Sequence, residues 1–426
     1  MLTPLLPTPV EDASAEPVIV TPAPTAASAV WPTVLPISTT PLGDGALTIE
    51  GTGSASCNGV GVHLDRVTAV SAAEGAVAFT GVGGGAGGGN IGITVEVGSS
   101  VTTDGGDISL TGTGGGDGTG RFNHGIALHN GGGSITSTSG AITLAGDAGW
   151  GTGYSGGVVL AKGTVTTDGA VSIKGTAHED STGVSNTGVS LDYGSTVTAG
   201  SAGLTVEATG GGGTSNNVGL FMHRGSTLES DGGVDIDATG GGDGAGTGNR
   251  GVFLNGGSSV TAGTGALEID GTGGVGTNYN EGVVLYGSSL SGTVAVNGTG
   301  GGTGYYNHGV AAYYATVSGG TIFGEGGGDD VSSTSDLNHG VLLYRSPDVL
   351  ADPITGMKGA GGRSLPVVNL FLPGMLAVAA GADREIRRRQ GSGREAGDIA
   401  GALDGLLQSV TGASWEGREN EAGRPG

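Results

Sequence analysis

Short runs of apolar residues alternating with small polar ones recur along most of this chain. Val62 and Leu64, Ile126 and Leu128, Val158 and Leu160, Val252 and Leu254, Val283 and Leu285, and Val341 and Leu343 are the clearest pairs. A period of two is that of a strand with one buried face, so each run predicts a short strand. A glycine opens each run, and the series Gly61, Gly92, Gly125, Gly157, Gly188, Gly219, Gly251, Gly282, Gly309 and Gly340 has gaps of 31, 33, 32, 31, 31, 32, 31, 27 and 31 residues. A fixed period of that size marks a repeat architecture.

Two more rows follow inside each repeat. A single apolar position, mostly flanked by Ser or Thr, comes next at Val67, Val101, Ile135, Val165, Val197, Leu228, Val260, Leu290 and Val317. A second alternating pair comes third, as in Val77 and Phe79, Ile108 and Leu110, Val171 and Ile173, Val234 and Ile236, and Leu267 and Ile269. Three strands of about five residues leave about sixteen for three turns, and glycine-rich turns link short strands without helices. The pattern predicts an all-β fold over residues 44–345, a parallel β-helix (solenoid) of about ten three-strand coils with a period of about 31 residues. At roughly 4.8 Å per coil the rod is about 50 Å long. One coil alone cannot bury its apolar face, so the stack is the folding unit.

A second periodicity supports this register. Two residues before the opening glycine stand Asn90, Asn123, Asn186, Asn217, Asn249, Asn280, Asn307 and Asn338, with Gly59 and Ser155 in the remaining two repeats. Stacked amides hydrogen-bond as in cross-β ladders, and Asn tolerates the left-handed backbone of a tight corner. The column is expected to be a structural asparagine ladder, with a row of ligand-binding amides as the alternative.

Outside the repeats the pattern lapses. Residues 1–43 are rich in Pro, Ala and Thr and predict an extended, disordered linker. They have neither the basic start nor the unbroken apolar run of a signal peptide, so the expectation is export by another route, a fragment of a larger protein, or a misassigned start. Residues 346–426 are expected to form a C-terminal cap with a short helix and a disordered tail. Within them, 365–380 is apolar but broken by Pro366 and Pro373 and too short for a transmembrane span. It would cover the open end of the solenoid or, backed by Arg384, Arg387, Arg388 and Arg389, lie at a membrane interface.

Composition changes the picture in three ways. The 97 glycines have no three-residue period, which excludes collagen. The net charge is −23, with 26 acidic against 6 basic residues between 44 and 344, a surface that repels nucleic acid and anionic lipid. Cys57 is the sole cysteine, which excludes an internal disulfide framework and a thiolate metal cluster.

Candidate chemistry lies in the column four residues after the opening glycine: Asp65, Glu96, His129, Ala161, Asp192, His223, Asn255, Tyr286, Tyr313 and Tyr344. Stacking brings column neighbours within about 5 Å, so Asp192 beside His223 is the best acid/base pair on offer, against the plainer reading of a solvated row. Seven tyrosines crowd the last repeats: Tyr279, Tyr286, Tyr305, Tyr306, Tyr313, Tyr314 and Tyr344. Aromatic faces with a polar handle suit sugar rings, so these form the candidate ligand-binding surface, with a purely stiffening stack as the alternative. Weak calcium binding is the only cofactor reading. Asp117, Asp243, Asp329 and Asp330 sit in glycine-rich loops, but the nine-residue spacing of a calcium β-roll is missing. The remaining histidines, including His63, His124, His308 and His339, read as lying on separate loops without metal spacing, so no metal site is assigned.

Repeats such as GVFLNGGSSVTAGTGALEIDGTGG and GIALHNGGGSITSTSGAITLAGDAG resemble the β-strand repeats of large bacterial exported proteins of the filamentous-haemagglutinin and autotransporter-passenger type. The likeness covers residues 44–344 and lies in Gly, Ser, Thr, Val and Asn. It implies a right-handed parallel β-helix, secretion or a place at the bacterial outer membrane, and a non-enzymatic adhesin or scaffold. Its partner would be an extracellular carbohydrate or the surface of a host or neighbouring cell. The secretion domain and membrane β-barrel of such proteins are not in the chain, as expected of a piece of a larger adhesin. The rival reading is a pectin-lyase-like polysaccharide lyase or hydrolase, similar in fold type. Those enzymes gather arginine and carboxylates on neighbouring coils, whereas Arg66, Arg121, Arg224 and Arg250 are spread along the rod.

Overall fold

The computed structural model describes residues 45–65, 69–328 and 338–357, together with the backbone of the strands Val18–Val20 and Val367–Leu370. The first strands of the coils, from Val62–Leu64 through Ile126–Leu128 and Val252–Asn255 to Val341–Tyr344, form one parallel sheet in which each coil pairs with those before and after it. The register is the one set by the opening glycines. Val62 faces Ile93, and the row continues through Ile126, Val158, Val189, Leu220, Val252, Val283 and Val310 to Val341. Second and third strands stack in the same way, and no helix occurs among the described residues. The described residues of the first unit form an all-β parallel solenoid of ten coils counted on the opening glycines.

Alternation decides which side chains go in. In Ile108–Thr113 and Val234–Thr239 every second residue is buried. Ile108, Leu110, Ile142, Leu144, Val171, Ile173, Val206 and Ile236 stack into one continuous core with the inward rows of the other two strands. The opening glycines are required because the end of the third strand packs backbone to backbone on the start of the first. A Cβ on Gly125 would lie 2.5 Å from the amide nitrogen of Asp147 and 2.6 Å from the carbonyl oxygen of Gly157.

The short spacing between Gly282 and Gly309 has a simple origin. Between its first and second strands coil eight runs six residues (Val283 to Ser289), one fewer than coil seven (Val252 to Ser259). Between the paired positions Thr261/Ser291 and Ala266/Thr293 it has one residue where coil seven has four. The missing residues leave from between these paired positions, so Val260 with Leu290, Leu267 with Val294 and Ile269 with Val296 keep their register.

Three boundaries differ from the sequence reading. The second row starts at Val70, which pairs with Val101; Val67 lies outside the described residues. The solenoid also continues past residue 345. Val349 bridges to Val317, and Ile354–Met357 pairs with the third strand of coil nine, completing coil ten in a segment that carries Pro347 and Pro353. At the other end the backbone of Val18–Val20 pairs with Leu47–Ile49, so part of the 1–43 segment adds a strand to the third sheet. A second unit begins at Val368, with its strand backbone described to Leu370. The rest of the apolar stretch 365–380 and the arginines at 384 and 387–389 lie outside the described residues.

Candidate functional site

The wall of the rod is pinned by the asparagine column. Its members are all buried, and the side-chain carbonyl of every one but Asn186 accepts from a backbone nitrogen of the preceding coil. The amide nitrogen of Asn186 donates to Asn217 Oδ1, that of Asn217 to Asn249 Oδ1, and that of Asn249 to Asn280 Oδ1, each at 3.0 Å. Ser155 fills the same place with its hydroxyl, which accepts from the Asn123 nitrogen at 3.1 Å. The Nδ2 groups tie down loop carbonyls, as from Asn249 to Val275 and from Asn338 to Gly304. The left-handed residue of the corner is not the asparagine but the one before it. Phe122, Tyr154, Ser185, Asn216, Tyr279 and Tyr306 have φ between 55° and 61°. A positive φ there leaves the asparagine itself free to aim its amide along the stack.

Ser185, Asn216 and Gly248 satisfy that corner in coils five to seven, so its geometry does not call for an aromatic ring. A bulky residue at positive φ is strained by about 1–3 kcal/mol, and such strain gathers at functional sites. In the last coils the rings at this corner are held by one another. Tyr279 and Tyr306 stack at 5.0 Å and 16°, and Tyr305 stands edge-on to both.

The first strand carries the second tyrosine group on the opposite margin of the same sheet face. Tyr286, Tyr313 and Tyr344 stand in register, with ring centroids 5.9 and 6.2 Å apart. Tyr314 lies edge-on to Tyr286 and Tyr344, and the Arg345 guanidinium lies 5.8 Å over its ring. Between the two groups run Val284, Ala311 and Leu342, mutually in register and buried although they belong to the outward side of the strand rather than the core. The two tyrosine groups thus flank a covered apolar row, a tyrosine-lined strip termed the trough. At its coil-seven end Arg250 Nε donates to Glu281 Oε2 at 2.8 Å, both side chains largely buried. Burial pushes the Glu281 carboxyl up, against the opposing pull of Arg250. Burial also pushes the Tyr313 hydroxyl well above the ordinary phenol range, with the Glu281 charge adding to it. The sequence places all seven tyrosines near one another but gives no sign of the Arg250–Glu281 pair, which depends on side chains reaching across coils.

Asp192 and His223 are neighbours, with Oδ1 and Nδ1 3.5 Å apart. The carboxylate is already engaged: its Oδ1 accepts from the Tyr193 backbone nitrogen at 2.7 Å, and Arg224 Nη1 lies 3.3 Å from its Oδ2. Arg224 also packs over the Tyr193 ring at 4.0 Å. The pair is one part of a charge-aromatic cluster rather than an isolated acid and base.

The glycine-rich loop aspartates form turns. Asp117 Oδ1 accepts from the nitrogens of Gly87 and Thr119 and from the Thr119 hydroxyl, which hold its carboxyl below the usual range. Asp243 Oδ1 accepts from the Ala245 nitrogen, and Asp329 and Asp330 lie outside the described residues. His124 Nδ1 accepts from the Gly156 nitrogen and His308 Nδ1 from that of His339, so each imidazole replaces a backbone acceptor between coils. His63 departs from its reading as a loop residue. It lies within the strand Val62–Leu64, on the same outward face as Asp65 and beside Glu96. Period-two alternation from His63 to Asp65 was the signal for it.

No helix among the described residues is long and apolar enough to cross a membrane. Comparison with protein-family models, with curated proteins and with solved structures finds no match to this chain.

Proposed function

We propose that the chain is a non-enzymatic solenoid of an exported bacterial surface protein, an adhesin or scaffold of the filamentous-haemagglutinin type, that binds carbohydrate in the tyrosine trough of its last coils. The observation that carries this reading is the trough itself, where aromatic rings occupy strained corners that Ser, Asn and Gly fill in coils five to seven. Flat rings with hydroxyl handles on a buried apolar floor suit the apolar faces and hydroxyl rims of sugar rings. The repeat resemblance and the acidic, basic-poor surface agree with an extracellular role.

The test is retention of the full chain on a panel of immobilised polysaccharides, scored together with the release of new chain ends. Gly248 occupies the corner of Tyr279 and Tyr306, so Tyr279→Gly and Tyr306→Gly are compatible with the backbone. Each ring contributes about 0.5–1.5 kcal/mol, so the double variant is expected to lose retention by about tenfold or more while its unfolding midpoint holds. Retention unchanged in that variant would refute the trough. New chain ends that vanish on His223→Ala would instead favour the polysaccharide lyase or hydrolase, with Asp192 as its carboxylate.

A further inference from the structure

On the outward face of coils one to three, far from the tyrosines in sequence, three potential ligands converge, and a fourth, His129, stands beside one of them. His63 stands two residues before Asp65 on one strand, and Glu96 and His129 occupy the column of Asp65 in the next two coils. Glu96 Oε1 lies 3.5 Å from His63 Nε2 and 3.9 Å from His129 Nε2. One ligand atom each from His63, Asp65 and Glu96 fall within 4.8 Å of one another. The His63 and Glu96 side chains are only 13% and 17% exposed, and His63 Nε2 makes no hydrogen bond among the described residues.

We propose that this cluster is a binding site for a borderline divalent transition cation of the zinc class, with His63, Asp65 and Glu96 as its first three ligands and His129 as the fourth. The donor set decides the class. Two imidazoles and two carboxylates without thiolate match zinc, whereas calcium and magnesium require six or more oxygens. Distances agree as well. Bonds of about 2.0–2.2 Å at tetrahedral angles place donor atoms about 3.3–3.6 Å apart, close to the separation of His63 and Glu96 and a small side-chain rotation from that of Glu96 and His129.

The surrounding groups are those of a supported site. Asn130 Nδ2 donates to Glu96 Oε1 at 2.9 Å and fixes the carboxylate. Thr94 Oγ1 lies 3.0 Å from His129 Nε2, the contact this imidazole exchanges for the cation. A cation held this way crosslinks three successive coils near the N-terminal end of the stack. Linear spacing hides the site because its ligands lie about one period apart, and it is independent of the carbohydrate reading.

The experiment is equilibrium dialysis of the full-length protein against zinc at neutral pH, with cobalt as the spectroscopic probe. The expected result is one equivalent bound, a cobalt band of tetrahedral intensity that zinc bleaches, and no displacement by a large excess of calcium. Glu96→Gln preserves shape and His63→Ala removes a nitrogen ligand. Each should weaken binding by at least about tenfold, while His223→Ala, at the other histidine-carboxylate pair, should leave it unchanged. Far-ultraviolet circular dichroism checks the fold of each variant, and Glu96→Gln alone decides the matter if His63→Ala does not fold. Zinc uptake that is absent, unaffected by Glu96→Gln, or displaced by calcium would overturn the proposal.

Discussion

Replacing Asn217 by Ala removes one rung of the ladder at mid-rod. The lost Oδ1 accepts from the Asn186 backbone nitrogen at 3.0 Å and from Asn186 Nδ2 at 3.2 Å, and the lost Nδ2 donates to Asn249 Oδ1 at 3.1 Å. Asn186 Nδ2 keeps its second partner, the Gly212 carbonyl, so the principal orphan is the buried backbone N–H of Asn186. An unpaired buried donor costs about 1–3 kcal/mol, and the shortened side chain leaves a small void besides, so a loss of about 2–3 kcal/mol is expected. Asn217→Ser should recover roughly half of it, because Ser155 shows that a hydroxyl can accept the same bond. A stack of repeats need not unfold in one step, so the readout is local as well as global. Urea midpoints would be compared among the three proteins, and hydrogen exchange would follow the Asn186 amide. Unchanged protection of that amide in Asn217→Ala, or a Ser variant as unstable as the Ala variant, would refute the reasoning.

Two further outcomes follow from charge. Glu207, Asp237 and Asp270 stand in register on the outer face of the third sheet, with Asp235 alongside, and Asp235 is pushed above the usual carboxylate range by burial and then by the charges of Asp270, Asp237 and Glu207. A raised carboxyl disfavours folding once ionised, so Asp237→Asn should raise the melting temperature by an amount worth about 0.5 kcal/mol, with the gain shrinking in high salt. His124 behaves oppositely: burial, with the nearby His129 charge, lowers its pKa to about 4. The unfolded chain takes up that proton first, near pH 6.5, so stability present above pH 6.5 falls away as the pH drops towards 4. His124→Asn, whose carbonyl can still accept from Gly156, should flatten that part of the pH profile in urea unfolding.

Much of the fold is legible in the sequence because a solenoid repeats its packing problem. The opening glycine, the paired aliphatics and the asparagine each recur where the same backbone contact recurs, so spacing alone yields the register from Val62 to Val341. Ends are harder to read. Val349 and Ile354 continue the inward rows after the Gly, Ser and Thr lettering has stopped, and Val67 mimics the second row three residues ahead of Val70. The sites were half legible. Columns place Asp192 beside His223 and align the tyrosines, but which neighbour a side chain leans towards depends on reach. Glu96 bends back to His63 and Arg250 crosses to Glu281, and neither choice is written in the spacing.

After its second strand coil eight drops three residues while the inward pairs on either side, Val260 with Leu290 and Leu267 with Val294, stay in register. The corner it shortens, residues 263–265 in coil seven, is therefore a place where length is negotiable, with Gly263 and Thr264 facing solvent. A foreign peptide inserted there would be displayed on a rigid support at a known height along the rod, and a series of such insertions in successive coils would make it a ruler with steps of about 4.8 Å.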